Sequence, residues 1–227
     1  MRWSKESAAE CDQDCMRCAA PWKYLLRISG GKRRRRVVRP RKTKDGRPIP
    51  SNPEMRSHAI AAMLKGADRR SIGRSNEVKK LVLRQPGRFA ELFKCLWDED
   101  PVVRMRAADA AEKISVALPE LLESHKQELL GLLDEAEQTE LRWHLALMVP
   151  RLTLSGPERY CAAAALRRYL EDRSSMVKTF ALQGLADLAN QDASLREPVR
   201  RTLEESLRAG TAAMKARARK LLKELQN

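Results

Sequence analysis

Aromatic side chains are scarce in this chain: Trp, Tyr and Phe together make up 4% of its 227 residues. Proteins that hold single-stranded nucleic acid stack its bases on such rings, so the scarcity argues against that function. Long apolar runs are missing as well. The longest uncharged stretches, such as 179–186, fall far short of the roughly 18 residues that a membrane-spanning helix needs, and no membrane insertion is expected. Near the N-terminus, Arg2 and Lys5 are followed by acidic residues instead of a continuous apolar stretch, so no secretory leader is expected. The cysteines number five, an odd count with three of them clustered, which does not suit a disulfide framework and points to a reducing cytoplasm. Catalytic signatures are absent too. There is no H-E-x-x-H, no G-x-S-x-G and no G-x-G-x-x-G, and Gly31-Lys32 lacks the earlier glycine of a phosphate-binding loop. No catalytic residue, metal or cofactor is assigned.

What the chain does have is charge, unevenly placed. Of a total of +15, residues 1–54 carry net +9, residues 55–85 net +6, residues 86–194 net −5 and residues 195–227 net +5. The centre is therefore acidic and both ends are basic. Ten Lys or Arg lie between Lys32 and Arg47, among Gly and Pro. Like charges at that density repel and bury nothing, so residues 1–54 are expected to be a disordered basic extension. Two uses stand open for it, a solvated tail or an electrostatic arm for nucleic acid. Met55 opens a different compositional regime and serves equally well as a natural start, which would make 1–54 an upstream addition. Within this segment Cys11, Cys15 and Cys18 form C-x3-C-x2-C, a spacing similar to the one with which radical-SAM enzymes hold an iron–sulfur cluster. Such enzymes need an α/β barrel, and nothing after Cys18 alternates strand with helix, so chance clustering is favoured.

From Met55 onward the sequence reads as helices. Expected N-terminal caps are Ser75, Asp100 with Pro101, Ser155 with Pro157, and Gly210-Thr211, where a side-chain oxygen accepts an orphan backbone N–H and proline fits the first turn. Self-similarity appears from about residue 86. Segments ending at Ile114, Leu152, Leu188 and Leu225 align on a basic anchor, Arg104, Arg142, Lys178 and Lys215, each preceded by an apolar residue. Each follows another helical stretch, 89–97, 119–133, 157–170 and 195–208, which gives four helix–turn–helix units with N-terminal capping helices before them.

The pattern Asp-x-x-x-Val-Arg-x-x-Ala-Ala, seen with a slight length shift from Asp98 to Ala108 and again in Val177-Lys178 with Ala181, resembles the HEAT-repeat family. The likeness is closest to the short bacterial HEAT-like repeats of the phycobilisome-lyase type and covers about residues 86–227. It implies an all-α, armadillo-type fold, a right-handed α-α superhelix of helical hairpins over 55–227. It specifies architecture and leaves function open.

Helical spacing sorts the residues of each second helix by face. Counting from the anchor, positions −1, +3, +4, +7 and +10 share one face. In the first three repeats they hold Ala107, Ala108, Ala111 and Ile114, then Leu145, Ala146, Val149 and Leu152, then Ala181, Leu182, Leu185 and Leu188. The last repeat has Ala218, Arg219, Leu222 and Leu225, and a charge in the core column suits a terminal repeat with no successor. The anchors fall beside this stripe, where pairing with acids of the preceding turn (Asp98, Asp100, Glu137 or Asp172) is favoured over ligand binding.

The opposite face carries the candidate partner-binding residues: Arg106, Trp143, His144, Leu147, Arg151, Phe180 and Arg217. An aromatic cluster with an Arg rim has the chemistry of a protein-binding hot spot. A neighbouring helix that covers this face is the competing reading, and both stay open. The expected function is a non-enzymatic, cytoplasmic scaffold that binds another protein. The alternative is a nucleic-acid-binding HEAT-like protein related to the alkylpurine DNA glycosylases. That resemblance implies a basic concave surface with a Trp and a catalytic Asp, roles that Trp143, Arg106, Arg151 and Asp109 or Asp187 would fill. The acidic centre opposes it, because wrapping a duplex needs several Lys or Arg along the path. The basic extension and the basic ends leave nucleic-acid contact open at the margins.

Overall fold

A computed structural model describes residues 53–66, 68 and 70–225, with side chains from Ala59 onward. The expectations for the basic extension and for Cys11, Cys15 and Cys18 lie outside the described residues. Within them every regular element is helical and there is no strand, so the fold is all-α. No described helix is long and apolar enough to cross a membrane. The described residues fall into two compact units, one up to Ala111 and one from Glu112 onward.

The first unit contains α1 (Pro53–Leu64), α2 (Ser75–Arg84), α3 (Phe89–Lys94) and most of α4 (Pro101–Ser115). Short 3₁₀ turns, Pro86–Arg88 and Cys95–Trp97, flank α3. α1 packs against α2 and α3. Ile60, Leu64, Val78, Val82, Leu92 and Leu96 are fully enclosed. Phe89, Phe93 and Trp97 follow one another on one helical face, with ring centroids 6.0 and 5.2 Å apart. Asp100 caps α4 as expected, its carboxylate accepting the Val102 N–H at 2.8 Å. Ser75 does not cap α2. It is the first helical residue, Arg74 holds the cap position without a side-chain bond, and the buried Ser75 hydroxyl donates to the Asp109 carboxylate.

The second unit contains α5 (Lys126–Glu135, led in by the 3₁₀ turn Pro119–His125), α6 (Thr139–Met148), α7 (Gly156–Tyr169), α8 (Ser175–Gln191), α9 (Ala193–Ala209) and α10 (Ala212–Glu224). Among the second helices of the sequence repeats, α6 packs on α8 and α8 on α10; α5 and α7 pack together, and α9 lies against α8 and α10. α8 is thus the central helix, and nine of its seventeen residues are buried. Its approach to α6 requires Gly184, since a β-carbon there would collide with the Ala146 carbonyl. Ser155 makes the capping box with Glu158, and Thr211 accepts from the Met214 N–H. Two further caps, Ser174 on Val177 and Asp192 on Ser194, were not expected from the sequence.

The core column is as the spacing requires: every residue named for it in the first three repeats is buried, and so are the preceding Val103, Leu141 and Val177. In the last repeat Arg219 is exposed, Leu222 and Leu225 are only half-buried, and Leu221 takes the enclosed place instead. Leu221 precedes the position that the periodicity favoured by one residue, about 100° of rotation round the helix, so the buried face of α10 is turned from that of the earlier second helices.

Candidate functional site

Two of the anchor residues serve the fold. The Arg104 guanidinium donates to the carbonyls of Asp98 (2.7 Å) and Glu99 (3.1 Å), and so closes the preceding turn through backbone oxygens. Arg142 donates to the Ala136 carbonyl and to the Asp172 carboxylate, both at 2.5 Å, and lies 5.0 Å from the centre of the Tyr169 ring. It therefore joins the turn before its own helix, α6, to the turn before α8. Burial would raise the Asp172 carboxyl, but the Ser174 N–H and Arg142 outweigh it and hold the group below the usual aspartate range.

The outward face of α6, α8 and α10 carries a ladder. Trp143, Phe180 and Arg217 stand 37 residues apart in each step, one per second helix. The Trp143 and Phe180 rings stack at 5.2 Å between centroids, inclined by 26°, and the Arg217 guanidinium lies 5.6 Å from the centre of the Phe180 ring. All three are half-buried, as is Leu147 one turn along α6. From Arg217 a polar chain continues along α8. Arg217 donates to the Gln183 amide oxygen (2.7 Å), and the Gln183 amide nitrogen donates to the Asp187 carboxylate (2.8 Å). Burial raises the Asp187 carboxyl above the usual range; Gln183, Arg151 and Arg217 pull it down, and Glu224 adds to the rise. Arg151 itself pairs with Glu112 at 2.6 Å and also donates to the Ser115 hydroxyl and the Glu112 carbonyl.

Two of the expected partner-binding residues are enclosed instead. His144 is 1% exposed; its Nδ1–H donates to the Glu140 carbonyl at 2.6 Å and its ring stacks on Trp143. Arg106 occupies the same repeat position as Trp143, 37 residues earlier, yet it is only 3% exposed. Its guanidinium donates to the carbonyls of Leu64, Lys65, Asp68 and Ser71, which encircle it. The wheel gave the direction of the side chain correctly and missed that a loop folds over it. Asp109, one of the carboxylates that the glycosylase resemblance would make catalytic, is likewise buried and bonded to Ser75. Trp143, Leu147, Phe180, Arg151 and Arg217 remain partly accessible and belong to one unit, with Gln183 and Asp187 added to them.

Comparison with protein-family models found no match, and a search of curated proteins found none either. The chemistry of the face must therefore speak for itself. It holds stacked rings, the guanidinium groups of Arg151 and Arg217, and one carboxylate, Asp187, and no cysteine. Burial pushes the Cys95 thiol, in the first unit, up to about 11, which makes it a poor nucleophile. Among the described residues no cluster of three or more His, Cys, Asp or Glu is arranged to hold a metal ion.

Proposed function

We propose that this chain is a non-enzymatic, HEAT-like helical-repeat scaffold of the cytoplasm, which binds another protein through the outward face of α6, α8 and α10. The observation that carries the reading is the ladder of Trp143, Phe180 and Arg217. Aromatic and Arg side chains, partly desolvated and held rigid by mutual stacking, are the residue types that dominate binding energy at protein interfaces. Their stacking fixes the rotamers before a partner arrives, which reduces the ordering cost of association. The recurrence of the helix pair, its short repeat length and the aligned anchors support the HEAT-like assignment; a right-handed superhelix is the arrangement that such repeats imply.

The test is affinity capture from a cell lysate with the full chain and with a Trp143→Ala/Phe180→Ala variant, each checked by its denaturation midpoint. Loss of a specific captured protein from a variant that still folds cooperatively is expected. Equal recovery by both would overturn the proposal.

A further inference from the structure

We infer that the outward face of α6, α8 and α10 takes an acidic, apolar-anchored peptide: a partner segment that lays a large apolar side chain against Trp143, Met176 and Phe180 and sets an Asp or Glu on Arg217. The inference rests on the reading of this face as the docking surface and names the chemistry of the partner. It begins with an unanswered charge. Arg217 is half-buried, and its Nη1 donates to the neutral Gln183 amide oxygen at 2.7 Å. Among the described residues no carboxylate lies within ion-pair distance of it, and its Nε–Nη2 edge has no hydrogen-bond partner. Arg88, Arg142, Arg151 and Arg159 are likewise half-buried, yet each pairs with a carboxylate.

That edge is one through which a guanidinium takes a carboxylate by two parallel bonds. Partial burial makes such a pair stronger than it would be in open water. Gln183 and the Phe180 ring, whose centre is 5.6 Å from the guanidinium, hold the group in place beforehand, so little order is lost on binding. The apolar part lies beside it. Met176 is 51% exposed and stands one turn before Phe180 on α8, so it extends the stacked Trp143 and Phe180 rings with a pliable thioether.

The neighbouring charges decide which partner fits. Lys220, exposed and one turn beyond Arg217 on α10, adds to the positive end; its acid, Glu224, is 3.6 Å away and itself exposed. The acids come later. Asp187 lies two turns beyond Phe180 and Glu224 two turns beyond Arg217, about 10 Å along each helix at the usual rise. A peptide acid therefore has one favourable place, Arg217, and a run of acids is disfavoured. A nucleic-acid strand would carry its phosphates on over Asp187 and Glu224. A wholly basic segment would set its cations against Arg217 and Lys220. A short segment with one acid beside an apolar anchor meets neither obstacle.

The experiment selects binders from a phage-displayed library of random linear peptides, on the full chain and on its Arg217→Glu variant. The wild type should enrich Asp or Glu within one helical turn of Leu, Met, Phe or Trp, and Arg217→Glu should exchange that acid for Lys or Arg. Affinities of the selected peptides are then measured by fluorescence anisotropy. Replacing the acid by its amide should weaken binding to the wild type about tenfold or more, as the loss of a charge-assisted pair requires. Arg217→Gln should bind the acidic peptide that much more weakly and no longer distinguish it from the amide. The inference is overturned, with the docking face left standing, if apolar peptides without an acid are enriched and Trp143→Ala/Phe180→Ala abolishes their binding. It is also overturned if the wild type enriches Lys or Arg, or if the amide peptide binds as tightly as the acid. Selection of no peptide, or equal binding by Trp143→Ala/Phe180→Ala, overturns the docking face as well.

Discussion

Replacing Arg106 by leucine should release the loop it holds. Each hydrogen bond from a charged donor is worth about 1.5–3 kcal/mol when formed, and Arg106 makes four. The sum overstates the loss, because the carbonyls of exposed Lys65 and Asp68 regain water when the guanidinium is gone, and leucine itself is content in an enclosed place. The buried Leu64 carbonyl has less recourse. A net cost of about 3 kcal/mol, concentrated on the loop, is the expected result. Trypsin provides a direct assay, since Lys65, Arg70 and Arg74 are exposed cleavage sites within or beside the loop. When opening is fast relative to cleavage, the rate follows the open population, and 3 kcal/mol corresponds to cleavage faster by about two orders of magnitude. Arg106→Lys keeps the charge but brings its donors to a single point, where they cannot reach carbonyls spread around a planar fork. It should recover only a small part of the protection. Cleavage of Arg106→Leu within about threefold of wild type, or full protection in Arg106→Lys, would refute the role assigned to the guanidinium.

Two further outcomes test the second unit. Gly184→Ala should destabilise by about 1–3 kcal/mol in urea denaturation, even though alanine is the better helix former, because α6 and α8 must separate to admit a methyl group between Ala146 and Leu166. A stabilised variant would show that the helices yield. Asp187→Asn should alter the pH dependence of stability. The folded state raises this carboxyl, so between the unfolded and folded pKa the native state holds the extra proton and stability falls as pH rises. The wild type should therefore lose stability as pH climbs from the ordinary aspartate range through the raised one. The asparagine variant should lack this contribution, so the difference between the two is expected to be smallest in acid. A wild type that gains stability over that interval, relative to the variant, would refute the assignment.

The all-helical class and the core column were legible because burial acts through periodicity. Ala107, Leu145 and Leu182 lie where spacing from the anchor places them, and all are enclosed. The caps at Asp100, Ser155 and Thr211 were legible for a similar reason: their chemistry is local. Arg106 was not. A wheel reports direction within one helix, whereas the enclosure of Arg106 comes from a loop more than thirty residues earlier in the chain. The two glycines of that loop, Gly66 and Gly73, separated by charged residues, were the trace in the sequence of a backbone that wraps something. His144 was missed for another reason. It neighbours Trp143 in sequence but lies about 100° round the helix from it, and packing encloses His144 while leaving Trp143 half-buried. Phe180 and Arg217 were placed on the right face, but their stacking depends on the offset between helices, which no single helix encodes.

The fasteners between neighbouring repeats have a mechanical consequence. Arg142 to Asp172, Gln191 to the Pro150 carbonyl, Arg217 to Gln183 and Ser175 to Thr211 each bridge one junction and no other. Under tension along the row of helices these junctions are loaded in series, each with its own apolar seam and polar bolt. At the C-terminal seam Arg219 is exposed and Leu222 and Leu225 are half-covered. Pulled across this row of α6, α8 and α10, the second unit should therefore lengthen one junction at a time instead of rupturing as a block.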